Sequence, residues 1–79
     1  MNQDIEREIG ANIRALRLRA NLTQDMLAVK LQLRGCDITR SAIAKIEVGQ
    51  RHLYPDEIRL IKEILGVEYE EIFSLPTDK

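Results

Sequence analysis

Apolar residues recur along the chain at helical intervals. Ile5, Ile9, Ile13, Leu16 and Ala20 are separated by steps of four, four, three and four, which puts them on one stripe of a first helix over about residues 4–20. Gly10 falls inside that helix, where glycine costs about 1 kcal/mol relative to alanine. Asn21 suits the left-handed position that ends a helix, and Leu22 can fold back as the apolar contact that accompanies such an ending. Thr23 then offers a side-chain oxygen to the free amides of a second helix starting at Gln24, with Asp25 at the positive end of its dipole. Leu27, Ala28 and Leu31 form the inner stripe of this helix, which stops before Gly35 in a Gly35-Cys36-Asp37 turn.

Thr39 caps a third helix predicted over residues 40–48, with Ile43 and Ile46 three apart and Gly49 at its end. Pro55 is tolerated in the first turn of a helix, and Asp56 and Glu57 follow where acids are favoured. Ile58, Ile61 and Leu65, with smaller contributions from Leu60 and Ile64, make the inner face of a fourth helix that Gly66 terminates. A short fifth helix over about residues 70–74 carries Ile72 and Phe73, with Tyr69 beside it, and Pro76 stops it. Alternation of strand type never persists beyond three or four residues, so the predicted fold class is all-α with about five helices.

Seventy-nine residues are expected to form one domain over residues 1–79, too short for a dinucleotide-binding fold or a barrel enzyme. The net charge of −1 hides an uneven distribution. Residues 11–54 hold eight bases against three acids, while the flanking segments are acidic. Cys36 and His52 are each the sole residue of their type, so they build neither a disulfide nor a tetrahedral metal site; no metal and no cofactor are expected. No apolar run approaches the roughly 18 residues of a membrane span, and the acidic start does not resemble a signal peptide. A cytoplasmic protein with no membrane partner is the expectation.

Three stretches then point to a family. They are Ile9-Gly10-Ala11-Asn12-Ile13-Arg14-Ala15-Leu16-Arg17, Leu22-Thr23-Gln24-Asp25-Met26-Leu27-Ala28, and Ser41-Ala42-Ile43-Ala44-Lys45-Ile46-Glu47-Val48-Gly49-Gln50-Arg51. In this order, and followed by an Ile/Leu-rich helix ending in Leu-Gly-Val, they make the chain resemble the phage-repressor or Cro-like (XRE-type) helix-turn-helix transcriptional regulators over about residues 9–73. The resemblance implies a lambda-repressor-like domain whose second and third helices form the motif. In that arrangement the N-terminal half of the third helix enters the major groove of double-stranded DNA.

With Ile43 and Ile46 turned inward, Arg40, Ser41, Ala44 and Lys45 fall on the outer side of the third helix and are the expected base-contacting residues. Arginine and lysine match the O6 and N7 acceptors of guanine, so a guanine in each half-site is expected. Gln24, at the start of the second helix, matches the family's phosphate-binding glutamine, and Thr39 and Arg51 complete the expected phosphate contacts. Arg17 and Glu47 match an arginine and a glutamate that pair across the first and third helices and orient them. Arg14, Arg19, Lys30 and Arg34 are read mainly as ordinary surface cations.

The chain departs from the family pattern in one place. Residues 32–38 lengthen the connection between the two motif helices by about five residues. Either the second helix gains a turn and Ile38 tucks under the motif, or a looser loop shifts the recognition helix. The apolar character of Leu33 and Ile38 favours the first.

Cys36 reads as a small turn residue and His52 as a surface or capping histidine. Tyr69, Ile72, Phe73 and Leu75 serve equally as core or as the seam of a homodimer. An enzyme is a poor reading, because the chain offers one histidine, no nucleophile beside a base and no glycine-rich phosphate loop. The expected function is sequence-specific binding to an inverted-repeat operator as a homodimeric repressor. The alternative is an antitoxin-like or adaptor protein whose main partner is another protein, favoured by the acidic C-terminal third.

Overall fold

The ends of the helices are set by local chemistry that the chain carries in its turns. Asn21 has φ +60°. Its N–H donates to the Leu18 carbonyl (3.0 Å) and the Leu22 N–H to the Arg17 carbonyl (3.1 Å), the paired bonds of a Schellman ending. Thr23 Oγ1 accepts the Met26 N–H at 3.0 Å and Thr39 Oγ1 accepts the Ala42 N–H at 3.1 Å, so each threonine caps the helix that follows it. The result, in a computed structural model that describes residues 3–74, is α1 (Gln3–Arg19), α2 (Gln24–Leu33), α3 (Arg40–Glu47), α4 (Pro55–Leu65) and α5 (Tyr69–Phe73). No strand occurs among the described residues, and the all-α, five-helix expectation holds.

The helices converge on a core in which Ile13, Leu27, Leu31, Ile38, Ile43, Ile61 and Ile72 are almost fully buried. α1 packs on α3 and α5, and α2 on α3 and α4. The predicted α1 stripe is longer than the core it faces. Ile13 and Leu16 are buried and Ile9 is half-buried, but Ile5 and Ala20 at its two ends are exposed. On α4, Ile61 and Leu65 are buried and Ile58, Leu60 and Ile64 half-buried; Glu57, expected only as a first-turn acid, is buried as well.

The long connection between α2 and α3 is ordered by its own hydrogen bonds. Gly35, at φ +84°, donates to the Gln32 carbonyl (3.0 Å), and the Cys36 N–H reaches the Leu31 carbonyl (2.9 Å). Gln32 Nε2 then donates to the Ile38 carbonyl at 2.8 Å, and Ile38 turns into the core with 1% of its surface exposed. Ile38 therefore tucks under the motif as expected. Leu33 does not join it and stands 83% exposed. Two residues beyond the buried Leu31, it lies about 200° around the helix and so faces outward.

α5 starts at Tyr69 and ends at Phe73, with Ile72 buried and the Tyr69 and Phe73 rings stacked 6.5 Å apart. Asn12 of α1 holds its far end: the Nδ2 group donates to the carbonyls of Ile72 (2.9 Å) and Ser74 (2.6 Å). Leu75 and Pro76 lie outside the described residues. No helix among the described residues is long and apolar enough to cross a membrane.

Candidate nucleic-acid interface

Beneath the two motif helices lies a buried polar node. Arg17 and Glu47 are 6% and 4% exposed, and the guanidinium binds the carboxylate as a fork, Nε to Oε2 at 2.7 Å and Nη2 to Oε1 at 3.0 Å. The remaining Arg17 nitrogen, Nη1, donates to the Leu22 carbonyl at 2.8 Å, so the turn leading into α2 hangs on the same side chain. Gln24 Nε2 donates to Glu47 Oε1 at 3.0 Å. Three helices thus meet at one carboxylate, each through a residue singled out in the sequence. A bidentate arginine–carboxylate pair fixes geometry as well as energy, and here it fixes the start of α2 against the end of α3.

Above the node, Gln24, Thr39, Arg40, Ser41 and Ala44 line one cleft between the N-terminal ends of α2 and α3. Arg40 and Gln24 also line a second concavity, with Leu18 and Thr23. Ser41 and Arg40 are exposed and Ala44 half-buried. Lys45 is exposed on α3 but does not line the cleft. The amide at Gln24 keeps one N–H for an outside partner, since its other hydrogen goes to Glu47. Thr39 accepts the Ala42 N–H and retains its own hydroxyl proton for donation.

Arg51, expected as a phosphate contact, is held within the chain. Its guanidinium is gripped by Glu57 of α4 through two 3.0 Å bonds, donates to the His52 carbonyl at 2.9 Å and lies 5.7 Å from the centre of the Tyr54 ring. The bond to Glu57 raises the arginine further above its ordinary range. Burial pushes the Glu57 carboxyl up, but the Arg51 bond and the Tyr54 N–H outweigh it and hold the group below its usual value. Arg51 faces an apolar groove with Ile5, Ile9, Leu53, Ile58 and Phe73, not the cleft at the start of α3.

Charge pairing separates the cations into two sets. Arg17, Arg19, Arg34, Arg51 and Arg59 are each tied to a glutamate. Arg40 and Lys45, with Arg7, Arg14, Lys30 and Lys62, make no ion pair among the described residues. Arg40 and Lys45 therefore give α3 a positive outer face without internal neutralisation. His52 is exposed and its Nδ1 lies 2.6 Å from Glu6 Oε1, which links the turn after α3 to α1. Cys36 is half-buried, and burial pushes its thiol up and away from reactivity. No group of three metal-ligating side chains occurs among the described residues.

Fold and cleft together define a helix-turn-helix module whose second motif helix is open to a groove. The chain belongs to the helix-turn-helix family, the phage-repressor or Cro-like DNA-binding regulators: the family model described as Helix-turn-helix matches residues 13–72. Control protein C.BamHI of Bacillus amyloliquefaciens is 32% identical over 78 residues, which cover 98% of this chain and 90% of that protein. Among solved structures, the crystal structure of the DNA-binding domain of BldD superimposes with a TM-score of 0.78 at 22% identity, over 92% of this chain and 99% of that one. This last likeness shows the fold.

Sequence reasoning missed two features of the site. The Gln24 bond to Glu47 joins residues 23 apart, and no local pattern announces it. The Arg51–Glu57 fork was foreshadowed only by Glu57 standing three residues after the residue that precedes Pro55, the spacing at which a glutamate reaches back to a helix-starting amide.

Proposed function

We propose that the protein is a sequence-specific transcriptional regulator, a repressor that occupies an inverted-repeat operator on double-stranded DNA by placing the N-terminal half of α3 in the major groove. The observation that carries this reading is the unneutralised outer face of α3, with Arg40, Ser41 and Ala44 in one cleft beside the start of α2. Arg40, Ser41, Ala44 and Lys45 are assigned to the bases, Gln24 and Thr39 to phosphates. Arg51 is left out of the footprint because Glu57 fills its fork.

Action as a homodimer is supported by the apolar groove on the side of Arg51. Ile5 of α1 and Tyr69 and Phe73 of α5 expose 40 to 43% of their surface there or beside it, and contiguous exposed apolar surface marks interaction sites. The outer face of α3 does not line that groove, so a partner seated on it leaves the motif accessible. Two-fold pairing then sets half-sites about 34 Å apart.

A specific observation favours a second reading, in which the main partner is another protein. Met26, Val29 and Leu33 form an exposed apolar stripe at steps of three and four along α2. Selection of duplexes from a random library by the purified protein, at near-physiological salt, decides between them. An enriched inverted repeat is the expected result; a folded protein that enriches nothing rejects the operator reading in favour of the protein partner.

A further inference from the structure

Helix α1 touches the recognition helix backbone to backbone. Gly10 is buried, and a Cβ built on it would stand 2.1 Å from the Ile46 carbonyl oxygen and 2.9 Å from the carbonyl carbon and oxygen of Glu47. On the other side of the contact Gly49, at φ +77°, would bring a Cβ to 2.9 Å from the Cα of Arg7. Two turns further along α1, Arg17 grips the Glu47 carboxylate. The last turn of α3 is thus held at one point by the ion pair and at the next by two glycines, with no side chain to cushion it. Side chains absorb misfit by changing rotamer; peptide groups in contact do not.

We infer that Gly10, with Gly49 opposite it, is a positioning residue for sequence recognition: the bare α1–α3 contact sets the angle at which α3 projects Arg40, Ser41, Ala44 and Lys45. This rests on the proposed DNA-binding role of α3. A methyl group at position 10 falls more than 1 Å short of the 3.4 Å at which ordinary contact begins, so it must push the last turn of α3 away from α1. α3 is one rigid element of 8 residues, about 12 Å long, so displacement at its end turns the whole helix. Base-edge hydrogen bonds demand placement to within about 0.5 Å, whereas long cationic side chains still reach phosphates after such a shift. Discrimination is then lost while general attraction to DNA survives.

The test compares three substitutions with the wild-type protein in random-duplex selection, followed by affinity for the enriched duplex and for a random one. Gly66→Ala is the control: Gly66 has φ +67° and open space around it, so alanine strains the end of α4 without touching the α1–α3 contact. Gly10→Ala is expected to reduce the preference for the enriched duplex over random DNA at least about tenfold, the worth of one good base contact. Its affinity for random DNA stays within about threefold, and Gly66→Ala keeps the wild-type preference. Should Gly10→Ala fail to fold by circular dichroism, Gly49→Ala, which presses on the same contact through Arg7, decides with the same expected ratio. A folded Gly10→Ala protein, or Gly49→Ala in its place, that selects the wild-type sequence with the wild-type preference overturns the inference alone. A wild-type protein that enriches nothing overturns the DNA reading and this inference with it.

Discussion

Arg17 and Glu47, thirty residues apart, form a two-pronged ion pair shielded from solvent, and the Glu47 oxygen that accepts from Arg17 Nη2 also accepts from Gln24. One carboxylate therefore registers α1, α2 and α3 against each other. Such a pair adds little net stability compared with well-packed apolar residues, because both charges leave water to form it. Breaking it is another matter. Arg17→Ala or Glu47→Ala strands one buried charge and is expected to cost about 3–5 kcal/mol in urea unfolding, while the double substitution Arg17→Met, Glu47→Leu recovers most of that loss.

Arg51→Ala is expected to lower stability by roughly 1–3 kcal/mol, because the buried Glu57 loses its charged donors. The slope of DNA affinity against salt concentration stays at the wild-type value. A slope smaller by about one unit returns Arg51 to the phosphate footprint.

Glu57 also makes stability depend on pH in a defined sense. Its folded carboxyl titrates below the ordinary value of 4.5, so the unfolded chain binds the proton first as pH falls. The stabilisation it supplies is complete above about pH 4.5 and is lost as pH drops from there through the lower folded value. Melting temperatures measured from pH 7 down to pH 3 should fall more steeply for the wild type than for Glu57→Gln, with the divergence confined to the acid end.

On the outer face of α3, Arg40→Ala is expected to reduce the gap between operator and random DNA by about 1–3 kcal/mol, and Lys45→Ala by an amount in the same range. Competition titrations with both duplexes measure it. Equal loss on the two duplexes reassigns the residue to the phosphates.

Ile38 in the α2–α3 connection and Leu33 at the end of α2 should behave in opposite ways. Ile38→Ala empties a site that is 1% exposed and is expected to cost about 2–5 kcal/mol in thermal or urea unfolding. Leu33→Lys alters a side chain that is 83% exposed and should change stability by no more than about 0.5 kcal/mol. A large effect of Leu33→Lys on operator binding, without loss of stability, would bring α2 into the interface.

What could be read from the chain alone was what short-range chemistry decides. Asn21 stops α1 in the left-handed conformation, Thr23 and Thr39 start α2 and α3, and the inner stripe Leu27, Ala28 and Leu31 is buried, because each depends on neighbours within one or two helical turns. Residues decided by distant partners were not legible. Gly10 reads in sequence as a weak point of α1, and only the approach of the Ile46 carbonyl gives it a reason. Arg51 carries the same charge as Arg40, and what separates their surroundings is Glu57, placed by the turn into α4, which pairs with Arg51 alone. Leu33 differs for a simpler cause: apolar character does not fix burial, and its angle around α2 points it outward.

The Asn12 side chain bears on how the molecule comes into being. A five-residue helix such as α5 does not hold together in water, and here its last carbonyls are bound by a side chain 60 and 62 residues earlier in the chain. In a chain made from its N-terminal end, α1 to α3 precede Ile72 and Ser74, so the Asn12 amide is satisfied by water until α5 docks. Closure of α1 against α5 thereby comes after the motif helices are made, and a nascent chain carries the motif before it carries the element that locks onto Asn12.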